Sequence, residues 1–294
     1  MQIDDVKQVA VIGAGAMGRQ IALNCALHGY PTTLTDAVPA VLESAARWKT
    51  EYLEGRVAKG RITRDEADAA AARLQIFPTL QEAAGGADLV IEAVIERLDV
   101  KRELFAELDR LTPPHAILAT NSSTIVSSKV ADATTRPAKV ANFHYFNPAL
   151  VMQLVEVVEG PHTSSETAEI LMEFARRTGK IPIWIKKEIS GFVANRLLGA
   201  VVREACFLLE NGVATHEEID LAAEKALGYP MGPFRLMDLT GIDVAYLVRK
   251  QRFEESGSEQ DRPPRSIEEK YLRGEYGRKT GKGWYDYTAE GGKA

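Results

Sequence analysis

Residues 142–160, "NFHYFNPALVMQLVEVVEG", hold two side chains that do not belong in an ordinary core. His144 stands in an apolar segment, and Glu156 interrupts a hydrophobic run. A buried carboxylate is costly unless it is paired. If "NFHYF" and "LVEVV" lie side by side, Glu156 accepts a hydrogen bond from one ring nitrogen of His144. That bond fixes the imidazole tautomer and supports its charged form. The second nitrogen is then available to exchange a proton with a substrate. Such a pair suits the oxidation of an alcohol, in which hydride leaves carbon and the hydroxyl proton passes to a base. Taken singly, the histidine reads as a satisfied core residue and the glutamate as a solvent-facing strand position. Only together do they point to chemistry.

A second constellation is "VAVIGAGAMG", with Gly13, Gly15, Ala16, Met17 and Gly18 following an apolar strand and opening an amphipathic helix. Asp36 ends the next strand. Glycines at this spacing allow a tight turn and a close approach of backbone to a pyrophosphate, and the helix N-terminus favours the anion. Without the strand, the helix and Asp36, it would be only a structural glycine turn. Asp36 suits the ribose hydroxyls of an adenosine and repels a 2′-phosphate. No Arg or Lys lies between Ala37 and Ala46 to receive one. NAD is therefore expected rather than NADP. A third feature is "ATNSST", where Asn121 to Thr124 close an apolar strand. A hydroxyl and an amide there suit a substrate oxygen; the same residues also suit a helix cap before "IVSSKVA". Five histidines with no pair at ligand spacing suggest no metal site.

These groups need a scaffold. "QVAVIG", "TTLTD", "DLVIEAV", "AILATN", "KVANFHYF", "LVEVVEG" and "IPIWIKK" read as strands, with helical patterns between most of them. That alternation predicts an α/β domain over residues 1–187, a doubly wound, parallel, Rossmann-type sheet. It carries a helical hairpin at about 38–74, broken at "GRIT". Near Lys187–Ser190 the character changes. Residues 188–294 read as a mainly α-helical domain: a long helix over "GFVANRLLGAVVREACFLLENG", a second capped at Thr215, and a third after "GYPMGPF". The remainder reads as polar, with a loop at "DRPP" and a frayed tail "TAEGGKA".

The 294 residues carry a net charge of -5 and are 45% hydrophobic, the balance of a water-soluble globular chain. An acidic balance argues against nucleic acid as partner. No apolar run is long enough for a membrane span, and "MQIDDVKQVAVIG" enters a strand without a signal-peptide pattern. Cys25 and Cys206 sit in apolar helical patterns and read as small buried hydrophobes, compatible with a reducing cytoplasm.

Six further motifs occur in order: "IEAVIE", "ATNSST", "HYFNPALVMQLVEVV", "GFVANRLL", "GYPMGPF" and "KTGKGWYDY". With the glycine loop they resemble the 3-hydroxyacyl-CoA dehydrogenase family, including its short-chain 3-hydroxybutyryl-CoA members, over nearly the whole chain. The resemblance implies NAD on the glycine loop and reversible oxidation of an (S)-3-hydroxyacyl-CoA. By position His144 matches the family's base, Glu156 its partner, Ser123 the serine near the substrate oxygen, and Asn195 an asparagine at the thioester. Ala93, Glu96, Lys101 and Asn121 match residues of the cofactor site. The family's helical domain makes a dimer, so a homodimer is implied. The helices over 38–74 lie along CoA in the family, and here they carry Arg47, Lys49, Arg56, Lys59, Arg61 and Arg64. Those cations read equally as solvated helix faces. This chain departs from the family at Tyr145, Arg97 and Pro31, and by "NSST" where "NTSS" is common. Acyl-chain preference stays open. So do a free hydroxy acid of sugar-acid or carnitine type, an aromatic or branched hydroxyacyl-CoA, and an NAD-binding protein without turnover.

Overall fold

The computed structural model describes residues 1–288; the rest of the tail "TAEGGKA" falls outside the described residues. The chain divides into two compact units, Met1–Phe192 and Val193–Ala294, the division falling a few residues beyond Lys187.

The first unit is built on one eight-stranded sheet. Its strands are β1 Val9–Ile12, β2 Thr32–Thr35, β3 Leu74–Ile76, β4 Leu89–Glu92, β5 Ile117–Thr120, β6 Val140–Tyr145, β7 Leu154–Val158 and β8 Ile181–Ile185. Their order is β3-β2-β1-β4-β5-β6-β7-β8. Five of the eight, β1, β2, β4, β5 and β6, are buried at every position, as a sheet covered on both faces requires. The helices are α1 Ala16–Leu27, α2 Pro39–Ala58, α3 Arg64–Arg73, α4 Leu80–Ala84, α5 Leu98–Leu111, α6 Ser128–Ala131 and α7 Ser165–Arg177. The hairpin over 38–74 is α2 and α3, and α3 is capped by Thr63 with Glu66 in a reciprocal capping box. Pro31 lies just before β2, and its carbonyl accepts from Val9 N at 3.0 Å.

The all-parallel sheet expected from the alternation needs correction. β6 and β7 pair antiparallel, and β7 and β8 then run together against the others. The reason is length. Residues 146–153 are too few to hold a crossover helix, so the chain must return as a hairpin. The short β3 and α4 carry too weak a pattern to be read from sequence.

The second unit contains α8 Ala194–Glu210, α9 His216–Ala226, α10 Pro233–Thr240, α11 Ile242–Ser256 and α12 Arg265–Leu272. α8 begins three residues later than "GFVANRLL" suggests, because Gly191 and Phe192 have positive φ and cannot lie in a right-handed helix. α11 and α12 occupy much of the polar remainder after α10, and "DRPP" lies in the loop between them. Thr215 caps α9 with Glu218, as its spacing predicts. Two buried carboxylates staple this unit. Asp220 accepts from Phe234 N, Arg235 N and Tyr285 Oη at 2.8–3.0 Å. Asp238 accepts from Trp284 N, Tyr285 N and Tyr287 Oη at 2.9–3.1 Å. A Cβ on Gly283 would stand 2.0 Å from Asp238 Oδ1, and one on Gly232 2.3 Å from Asp220 Cγ. Gly232 of "GYPMGPF" and Gly283 of "KTGKGWYDY" are thus accounted for by packing, whereas Gly228 and Gly281 have positive φ, +71 and +74.

Both cysteines are fully buried. Burial pushes the Cys25 thiol up to about 12 and the Cys206 thiol up to about 11. Neither forms thiolate near neutral pH, so neither should react with a disulfide reagent in the folded protein, and both should react in denaturant. A thiol titration run both ways checks this. Among the described residues no helix is long and apolar enough to cross a membrane.

Candidate active site

The strand order reverses direction of growth between β1 and β4, where a crevice opens at the carboxyl ends of the strands. The glycine loop fills this point. Gly13 has φ +99, and a Cβ there would meet Ala93 O at 2.5 Å. A Cβ on Gly18 would meet Gly13 O at 1.7 Å. The protein itself therefore demands both glycines. Gly15 differs: it is exposed, has φ −65, and a Cβ there would meet nothing within 4 Å. Nothing inside the chain requires a glycine at this position. Gly15 is the N-cap of α1, and no side chain caps the helix, so its first N–H groups face outward beside the exposed Ala16 and the half-buried Met17. A pyrophosphate fits this space and these donors. Asp36 follows β2 directly. Its carboxylate accepts from Ala14 N at 2.8 Å and Val38 N at 2.9 Å, which braces the loop and leaves lone pairs for a ribose.

The contrast between Gly15 and Gly18 makes an expected result. Gly15→Ser should leave the unfolding midpoint unchanged, since serine is as good an N-cap as glycine. Its affinity for NADH should fall about tenfold or more, equivalent to ~1.4 kcal/mol or more. Gly18→Ala should instead lose stability by about 1–3 kcal/mol or more through overpacking. Calorimetry and fluorescence titration of NADH separate the two losses.

Next to the loop lies a buried ion network. Glu92, at the end of β4, is 0% exposed. It accepts from Lys101 Nζ at 2.5 Å, Thr120 Oγ1 at 2.6 Å and Val94 N at 2.7 Å. Lys101, on α5, also reaches Glu96 at 3.4 Å. Glu96 accepts from Ser122 Oγ, and from Thr124 Oγ1 at 2.6 Å. Burial pushes the Glu96 carboxyl up, but the Lys101 ammonium and the two hydroxyls outweigh it and hold it below the usual range. What the Glu96 contacts add to stability is thus fully present above the ordinary carboxylate range and is lost as pH falls from there through the depressed Glu96 value. Glu96 reaches the surface, whereas Lys101 lies behind it, 1% exposed.

His144 and Glu156 are directly opposed in the β6–β7 register. The His144 Nδ1 and Glu156 Oε2 atoms are 2.8 Å apart, with Glu156 0% and His144 5% exposed. The antiparallel turn-back is what makes this possible: in a hairpin, residues twelve apart face each other across the ladder. The connection is anchored by Lys180, whose Nζ donates to Ala149 O at 2.5 Å and Met152 O at 3.0 Å. His144 lies near the carboxyl end of β6, the same edge of the sheet as the glycine loop.

Asn121 and Ser123 follow β5. Asn121 Oδ1 accepts from Tyr145 N at 2.9 Å, joining this loop to the strand of His144. Ser123 Oγ makes no hydrogen bond among the described residues. The reading as a mere helix cap does not account for it: Ile125 N donates to Ser122 Oγ, not to Ser123. Sequence reasoning missed Asn142. It is fully buried two residues before His144, and it accepts from Ser127 N at 2.6 Å while donating to Ile125 O at 3.0 Å and Ser122 O at 3.3 Å. One side chain thus ties the whole serine loop to the histidine strand. Its only signal in sequence was an amide in an apolar strand. Asn195 lies in the first turn of α8, in the second unit.

Residues 8–189 match the 3-hydroxyacyl-CoA dehydrogenase, NAD binding domain, and residues 191–287 match the 3-hydroxyacyl-CoA dehydrogenase, C-terminal domain. The chain belongs to the 3-hydroxyacyl-CoA dehydrogenase family. A probable 3-hydroxybutyryl-CoA dehydrogenase of Bacillus subtilis is 37% identical over 96% of this chain and 98% of its own length. The human mitochondrial hydroxyacyl-coenzyme A dehydrogenase is 37% identical over 96% of this chain and 91% of that one. The crystal structure of (S)-3-hydroxybutyryl-CoA dehydrogenase from Ralstonia eutropha superposes with a TM-score of 0.90 at 32% identity, covering 96% of this chain and 99% of that one. Membership in this family agrees with the glycine loop and with a second, helical unit.

Proposed function

We infer that the protein catalyses the reversible, NAD-dependent oxidation of a 3-hydroxyacyl-CoA to the 3-ketoacyl-CoA, acting on the (S) alcohol and favouring short acyl chains such as 3-hydroxybutyryl. The observation that carries this reading is the buried, registered His144–Glu156 pair at the same sheet edge as an open glycine loop. NAD, when bound, supplies the hydride acceptor. Gly13 to Gly18 and Asp36 hold its pyrophosphate and ribose; Ala93, Glu96, Lys101 and Asn121 shape the floor of that site. His144 takes the hydroxyl proton on Nε2 while Glu156 offsets the charge from Nδ1. Ser123 Oγ donates to the substrate oxygen, and Asn195 holds the thioester end.

In the family the helical hairpin lies along CoA, and the contacts made by the cations of α2 and α3 support a narrower choice among them. Lys49 is spent on Ala71 O and Leu74 O, Arg64 on Glu54, and Arg47 on Glu43. Arg56, Lys59 and Arg61, at the turn between the two helices, have no such ion pair among the described residues. We assign those three to the CoA phosphates. A homodimer through the helical unit agrees with the exposed Leu197, Phe207, Leu221 and Leu227. We place the enzyme in the cytoplasm.

The test is loss of NADH absorbance with acetoacetyl-CoA, repeated with NADPH and with free acetoacetate. Turnover with NADH and the thioester alone supports cofactor, reaction and CoA together. Turnover of acetoacetate at a similar rate would move the substrate to free hydroxy acids.

A further inference from the structure

Phe192 is the one non-glycine residue with positive φ among the described residues, at +48°. A bulky side chain in this region is an outlier that its surroundings must enforce. Gly191, just before it, already supplies a turn at φ +77. A second glycine would relieve the backbone, yet the chain keeps a phenylalanine there and buries it to 1% exposure. Its ring centroid lies 5.5 Å from that of His144, tilted by 58°. Phe146 approaches the same imidazole edge-on at 4.6 Å. The segment that presents Phe192 is latched to the serine loop at two points. Gly191 N donates to Ser123 O at 3.1 Å, and Ser128 N donates to Glu188 Oε2 at 3.2 Å.

One hydrogen bond to Glu156 fixes a ring nitrogen but leaves the imidazole free to rock about that contact. Two aromatic rings packed beside the imidazole remove this freedom and shield its bond to Glu156 from water. We propose that Phe192 is a positioning residue for the dehydrogenase reaction, holding the His144 ring in its proton-transfer orientation in fixed relation to Ser123. The proposal rests on the role given to His144 above. It also explains why the strained backbone is retained: the left-handed turn aims the ring back at the histidine.

Phe192→Leu keeps apolar volume and removes the ring. The expected result is a fall in kcat of about tenfold or more, with KM for NADH and acetoacetyl-CoA held within about twofold. The second readout is the long-range proton–nitrogen NMR spectrum of the free enzyme, whose five histidines are few enough to resolve, His144 being assigned by its loss in His144→Gln. The wild type should show one His144 tautomer, protonated on Nδ1, and Phe192→Leu a mixture. This spectrum needs no substrate, so it stands even if the substrate class is wrong, whereas absence of turnover by the wild type would strike the functional reading alone. Unchanged kcat overturns the proposal. So does a lower unfolding midpoint with an unaltered His144 signal, which would make Phe192 plain core. Phe192→Met, which fills irregular space well, carries the same test if the leucine variant does not fold. Failure of both to fold would assign the residue to stability and overturn the proposal.

Discussion

His144→Gln is expected to abolish most turnover while leaving NADH binding intact. A positioned acid–base group contributes about a hundredfold to ten-thousandfold, and the variant should lose that much in kcat in both directions. The substitution is chosen for the fold. Glu156 is 0% exposed, and His144→Ala would remove the imidazole hydrogen bond from its buried carboxylate and destabilise the fold. A glutamine amide still donates to Glu156 and keeps the strand pair together, but it has no site that takes up a proton. NADH affinity should survive because the residues proposed to hold it lie elsewhere, on the loop after β1 and at Asp36 after β2. Steady-state rates with acetoacetyl-CoA and a fluorescence titration with NADH read the two quantities separately. A folded variant that kept most of its activity would remove His144 from the mechanism.

Much of this site was legible in the chain because its parts are local. The glycine loop, Asp36 and the helix that follows form one contiguous pattern, and the structure adds only that Gly15 alone is free of packing demands. The pairing of His144 with Glu156 was legible because a buried carboxylate needs a partner. The direction of β7 was not, since an apolar strand reads the same whichever way it runs. Length decided it: residues 146–153 allow only a return. The residues that escaped reading are those whose role depends on distant neighbours. Glu92 looks like the end of a strand until Lys101 and Thr120 close on it. Asn142 looks like a tolerated amide until the serine loop folds over it. Phe192 reads as one more apolar position in a helix, because a backbone angle set by tertiary latches leaves no local mark.

Glu156→Gln carries the other large effect, and its interest lies in how it combines with the first. The carboxylate only accepts hydrogen bonds, so His144 must place its proton on Nδ1 and leave Nε2 as the base. A glutamine is nearly the same shape but offers both an oxygen and an amide. If it presents the amide to Nδ1, the imidazole carries its proton on Nε2 and cannot accept the substrate's. If it presents the oxygen, the tautomer is right but no negative charge offsets the imidazolium. Either way the transition state loses support, and kcat should fall by about a hundredfold to ten-thousandfold, as for acid–histidine pairs elsewhere. Stability should change far less than in Glu156→Ala, because the amide still fills the space and still bonds. The decisive measurement is the double variant. Residues that act as one unit are strongly non-additive. His144→Gln with Glu156→Gln should therefore be little slower than His144→Gln alone, since the glutamate has nothing left to orient. If the two losses multiply instead, Glu156 acts on the reaction by a route that does not pass through His144.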